Sequence, residues 1–195
     1  MEKKSPVMII HLVLMFILLA FNAFAAAVFI GGFGPSLAGV NRLEVLMHGI
    51  LNLVIIAGIL FGLVYLLGGY GKKAASYYKA FLCSLLVLTA LLIAVDLAFY
   101  KINALLIATV AALAVKAVSL LLLTFKKDLG AKKTWILFFV IILADAVEAV
   151  LMLLSASPSI LVYRTVYAVS GLVLDGTVGL AIRGKYADKA SRGSK

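Results

Sequence analysis

Ile141-Ile142-Leu143-Ala144-Asp145-Ala146-Val147-Glu148-Ala149-Val150 places two carboxylates near the middle of a segment otherwise apolar enough to cross a bilayer. A central acid costs an inserting helix about 2.5 to 3.5 kcal/mol, whereas each Leu, Ile, Phe or Val returns about 0.3 to 0.6 kcal/mol. The 13 such residues from Thr134 to Leu154 return about 6 kcal/mol, close to what Asp145 and Glu148 together take away. Alone, this helix is near break-even. It needs polar partners on other helices, and the rest of the chain has to supply them.

Of the 195 residues, 65% are hydrophobic and only 13% are charged, with a mean hydropathy of +1.20. That is too apolar for a soluble domain of this size. Runs of spanning length recur along nearly the whole chain and leave no room for a separate soluble unit. The expectation is an all-α polytopic membrane protein, a single six-helix bundle with spans at about residues 6–30, 43–68, 80–100, 102–125, 134–154 and 159–182. A basic tail, 183–195, follows and is expected to lack regular structure beyond its first turn.

The net charge of +10 reads as a topology signal and not as a nucleic-acid footprint. Lys3 and Lys4, then Lys72, Lys73 and Lys79, then Lys126, Lys127, Lys132 and Lys133, then Arg183, Lys185, Lys189, Arg192 and Lys195 cluster at alternate span ends, 14 of the 18 basic residues. The other connections hold only Arg42 and Lys101. The positive-inside rule therefore puts both termini in the cytoplasm, of what is expected to be the cell membrane. The first span also has a signal-peptide layout, with Ala23-Phe24-Ala25 as a cleavage site; cleavage would leave five spans and an external N-terminus. Apolarity continuing through Ile30 favours an uncleaved span.

Several features speak of packing. Gly58-x-x-x-Gly62 in span two lets a neighbouring backbone approach. Ala104, Ala108 and Ala112 in span four predict a close-packing ridge that Lys116 continues. Asn22 reads as a helix-to-helix hydrogen bond, and His11 as an interfacial residue near the cytoplasmic end of span one. Cys83 is a lone thiol that can form no intramolecular disulfide. The longest external connection, 31–42, is long enough to fold over an external mouth; the competing reading is a passive linker.

Chemistry is expected where ionisable residues lie inside spans. An outer layer holds Asp96, Glu148 and Arg164, beside a stripe of Glu44, His48 and Asn52 whose i, i+4, i+8 spacing makes one wetted face of span two. Arg164 could pair with Glu148 or Asp96, or recognise a carboxylate or phosphate on a ligand. An inner layer holds Lys116, Asp145 and Asp175, with Lys116 neutralising one of the two acids. Asp145 and Glu148, at i, i+3, link the layers. Four acids (Asp96, Asp145, Glu148, Asp175) face two bases (Lys116, Arg164). The excess acids must stay protonated, bind a cation or face water. The alternative is a satisfied structural network.

Glu44, His48, Asp96 and Glu148 could in principle ligate a divalent metal, but their spacing is unspecific. No phosphate loop, His-Glu-x-x-His, Gly-x-Ser-x-Gly or paired-cysteine motif occurs, and nothing nominates a catalytic residue or a cofactor.

The leading expectation is therefore a transporter or transporter subunit that binds a small polar solute or ion through Asp145, Glu148, Lys116, Asp175, Arg164, Asp96, His48 and Asn52, with proton or cation coupling. Its alternatives are an interaction, assembly or sensor subunit and, behind that, a membrane-embedded enzyme acting on lipid or quinone-like substrates. Partners would be the bilayer, the solute, and either a second protein or further copies of the chain through Gly58 and Gly62. In size, span number, internal termini and long first external loop, the chain resembles the substrate-binding S components of energy-coupling factor transporters. Ala23-x-x-x-Ala27 is similar to the small-residue docking motif of those proteins. It falls in the external half of span one, away from where a cytoplasmic coupling subunit would dock.

Overall fold

A computed structural model describes residues 5–32, 41–68, 73–126, 129–154 and 161–193, together with their side chains except those of 161–163 and 185–193. These residues form six helices: α1 (Pro6–Gly31), α2 (Arg42–Leu67), α3 (Ala74–Phe99), α4 (Ala104–Phe125), α5 (Ala131–Leu154) and α6 (Leu161–Gly193). All six are long and apolar enough to cross a bilayer, the crossing part of α6 being Arg164–Gly184. At about 1.5 Å per residue even the shortest clears a hydrocarbon core of about 30 Å. Among the described residues the chain is thus all-helical, with six apolar helices that could each span a membrane.

Local chemistry starts these helices where they start. Ser5 caps α1 with Pro6 in its first turn, and Gly32 ends it in a left-handed conformation at φ 68°. The side chains of Asn41 and Asn103 accept from the backbone N–H groups of Leu43 (2.9 Å) and Leu106 (2.8 Å), opening α2 and α4. Two boundaries differ from expectation. α3 begins at Ala74, because Tyr77, Tyr78 and Lys79 are compatible with helix where apolarity alone places the span later. α6 continues through the basic segment to Gly193, where a tail without regular structure beyond its first turn was expected. Residues 33–40 of the first long connection, expected to cover an external mouth or to be a passive linker, lie outside the described residues.

Helices adjacent in sequence pack side by side, α6 closes against α1, and α6 also crosses α2. The Gly58 and Gly62 motif makes this crossing possible. A Cβ on Gly58 would meet Ser84 of α3 and Leu174 of α6, and one on Gly62 would meet Met15, Thr177 and Phe81 of three different helices. α1 is tied to α6 by the Asn22 amide, which donates to Ser170 Oγ at 3.0 Å, and by His11, whose Nε2 lies 2.8 Å from Thr177 Oγ1. His11 is therefore a packing contact, with its ring over Gly176, and not merely an interfacial residue.

The alanine ridge expected on α4 does not form. Ala104 and Ala108 are exposed, and the buried face is Leu106, Leu113, Lys116, Ser119 and Leu120. Steps of four residues drift by about 40° each around a helix of 3.6 residues per turn. Three such steps carry the surface from Ala104 to Lys116 away from one line.

The outside of the bundle is apolar on every helix, with Phe24, Ile107, Phe139, Leu143 and Leu154 among the most exposed side chains. Buried polar residues face inward. Most of their hydroxyls return to their own helix: Thr89 to Leu85 O, Ser119 to Val115 O and Ser170 to Val166 O. Such groups are satisfied locally. The ionisable groups have no such option and have to meet one another.

Candidate functional site

α5 buries Thr134, Phe138, Ile141, Ala144, Asp145 and Glu148, a single face at i, i+3 and i+4 spacing that turns both acids inward. α4 turns Lys116 toward them, and α6 turns Asp175. Lys116 is 3% exposed, Asp145 4%, Glu148 8% and Asp175 1%. Lys116 Nζ donates to Asp145 Oδ1, a buried ion pair between α4 and α5. The same ammonium feels the fields of Asp175 and Glu148. Burying a pair of charges is tolerated when geometry is good and the remaining lone pairs are satisfied. The second requirement fails here: among the described residues Asp145 Oδ2 and both carboxyl oxygens of Asp175 have no hydrogen-bond partner. α5 passes close to α6 here: a Cβ on Gly171, one turn before Asp175, would stand 3.4 Å from Asp145 Oδ2, about van der Waals contact.

Beside this inner group lies a small cavity of about 20 Å³, lined by Lys116, Asp145, Glu148, Tyr167 and Gly171 among others. Beyond it, toward the α3–α4 connection, a larger pocket of about 220 Å³ opens. Its polar lining is His48, Asp96, Tyr100, Lys101, Asn103, Thr109, Glu148, Arg164 and Tyr167, set in walls of Leu51, Leu92, Val95, Leu105, Leu106 and Leu151. Glu148, Leu92, Met152 and Tyr167 line both spaces. α2 to α6 contribute to the two cavities and α1 stays behind α2 and α6.

The structure brings together seven of the eight residues nominated from sequence: Lys116, Asp145 and Asp175 inside, Asp96, His48 and Arg164 at the pocket, and Glu148 between them. Asn52 stands apart. It is buried and donates to His48 O at 2.7 Å, lining neither cavity, so the wetted stripe on α2 loses its innermost member and keeps His48 at the pocket and Glu44 beside Tyr100. Arg164 donates through Nη1 to Met152 O at 2.7 Å. Met152 lies in the last turn of α5, where carbonyls lack helical partners. The guanidinium caps that helix from α6 while lining the pocket, a role that sequence spacing does not reveal. Among the described residues no three His, Cys, Asp or Glu side chains converge as metal ligands, so Glu44, His48, Asp96 and Glu148 do not form a metal cradle.

Sequence reasoning missed Tyr100, Asn103, Thr109 and Tyr167, which carry no charge to mark them, and the glycines of α6. Gly171, Gly176 and Gly179 were legible as places of close approach; each accepts a side chain from another helix, Asp145, His11 and Phe138 respectively. Comparison of the chain with protein-family models, with curated proteins and with solved structures finds no match.

Proposed function

We propose that the protein is a transporter, or the membrane subunit of one, that binds a small polar solute or ion in the pocket between α2 and α6 and couples it to a proton or cation on the buried acids. With the basic span ends in the cytoplasm, the pocket opens to the outside of the cell membrane. One observation carries the reading. Glu148, largely buried, lines both the open pocket and the inner cavity beside Lys116 and Asp145. A structural network has no need of a carboxylate at the meeting point of two cavities; a site that senses its ligand does. The volume, about 220 Å³, is below the range of about 300 to 1,000 Å³ typical of drug-sized ligands and suits a small molecule. Apolar walls with a few placed charges are the usual make-up of such a site.

The competing reading is a non-transporting interaction or assembly subunit. The contacts of Asn22 with Ser170 and His11 with Thr177, which fix the register of α1 on α6, favour it. Gentle purification from native membranes, followed by mass spectrometry of everything retained, separates the two. The transport reading expects a small polar molecule retained by the native chain and lost in Glu148→Gln. A stoichiometric protein partner with no retained molecule would favour the competing reading.

A further inference from the structure

Asp145 and Asp175 present a specific chemical problem. Ionised carboxylates only accept hydrogen bonds. Asp145 uses Oδ1 for Lys116, and its Oδ2 is left facing α6 at Gly171. Asp175, one turn further along α6, neighbours Asp145, and both of its oxygens lack a partner among the described residues although it is 1% exposed. Two ionised carboxylates that interact in a buried site repel. One proton turns the same contact into a donor and an acceptor.

The charges around Asp175 agree. From α4 it meets Lys116, and from α5 Asp145 and Glu148. α2 brings Gly58 and Gly62 to the neighbouring stretch of α6, neither of them titratable, and α1 brings His11 to Gly176 and Thr177. One ammonium faces three carboxyl groups. With a proton on Asp175, the Lys116–Asp145 pair is neutral and Glu148, at the cavities, is the one acid left over.

We propose that Asp175 carries a proton shared with Oδ2 of Asp145, and that Glu148 passes this proton to and from the outer pocket. This deepens the transport reading by naming the coupling ion, and it rests on that reading only for its purpose. The inner cavity, about 20 Å³, has room for about one water. A water there would join the two acids that line it, Glu148 and Asp145. Loading takes a proton from pocket water onto the Glu148 carboxylate, then through the cavity water to the Asp145–Asp175 pair. Unloading reverses these steps, and Lys116 stays an ammonium throughout.

Infrared spectroscopy of the full chain in lipid vesicles tests this. At neutral pH the carbonyl stretch of an unhydrated, protonated carboxylic acid is expected. It should shift when the aspartates carry ¹³C and disappear in Asp175→Asn. In Glu148→Gln it should remain, with its exchange into D₂O slowed by about a hundredfold, the scale of a positioned proton-transfer group. Absence of the band at neutral pH overturns the proposal. So does a band that ¹³C-aspartate leaves unmoved, or one that sodium removes at constant pH, since the site then holds a cation. If Asp175→Asn fails to fold, the isotope shift in the native chain decides. Solute retention is a separate readout: a band without a retained solute would remove the transport reading and leave the proton site standing.

Discussion

At Lys116 the balance between charge and burial is most exposed to test. Replacing a buried ion pair by apolar groups is often close to neutral, whereas removing one partner strands the other at about 3 to 5 kcal/mol. Lys116→Met should therefore destabilise the bundle by about that amount, while Lys116→Met combined with Asp145→Asn should recover most of it. Unfolding in lipid–detergent micelles measures both. Equal losses in the single and double variants would mean that the pair does not carry the stability. That these residues face inward was legible in sequence, since an acid or lysine in mid-span has few other places to go. That Lys116 takes Asp145 over Asp175 was not, because the choice depends on the rotation of α4 against α5. Arg164 shows the same limit: its capping of α5 follows from where the two helices cross, and spacing alone gave Glu148, Asp96 or a ligand carboxylate or phosphate as its partner.

Among elements, α6 depends on close approaches. A methyl group on Gly179 would fall 2.6 Å from Phe138 Cζ. The Phe138 ring is buried and held edge-on by Trp135 at 5.5 Å, so it has little room to yield. Gly58 differs, since its nearest neighbour is the Ser84 hydroxyl at 3.1 Å, which needs to give by only a few tenths of an ångström while keeping its bond to Phe81 O, and Leu174 stands farther off at 3.7 Å. Alanine in place of glycine gains about 1 kcal/mol of helix propensity, and overpacking takes about 1 to 3 kcal/mol. Gly179→Ala should thus lower thermal stability, and Gly58→Ala should be near neutral. Equal effects would contradict the packing described here. Element positions came readily from hydropathy, with five of six starts within a few residues. α3 was misjudged because its first turns carry tyrosines and a lysine that a hydropathy reading discards but a helix accepts. The alanine ridge of α4 failed because spacing of four residues drifts off a face over three turns.

For the whole molecule, the pocket lies at the end with few basic residues, opposite the lysine-rich connections. In a chain whose Cys83 is replaced by serine, Lys101→Cys should react with an impermeant thiol reagent in intact cells. Lys73→Cys should react only after the membrane is opened. The reverse pattern would invert the topology and place the pocket in the cytoplasm. What the sequence could not give at this scale is the pocket itself, a space between five helices that depends on how far each stands from the next.

The most direct test offers the reconstituted protein every candidate at once. Vesicles containing the native chain are incubated in a ¹³C-labelled metabolite extract under an inward proton gradient, and their contents are analysed by mass spectrometry. The account predicts that one class of small polar solute accumulates beyond protein-free vesicles and that Glu148→Gln abolishes the accumulation. No accumulation, or accumulation unchanged in Glu148→Gln, would contradict it.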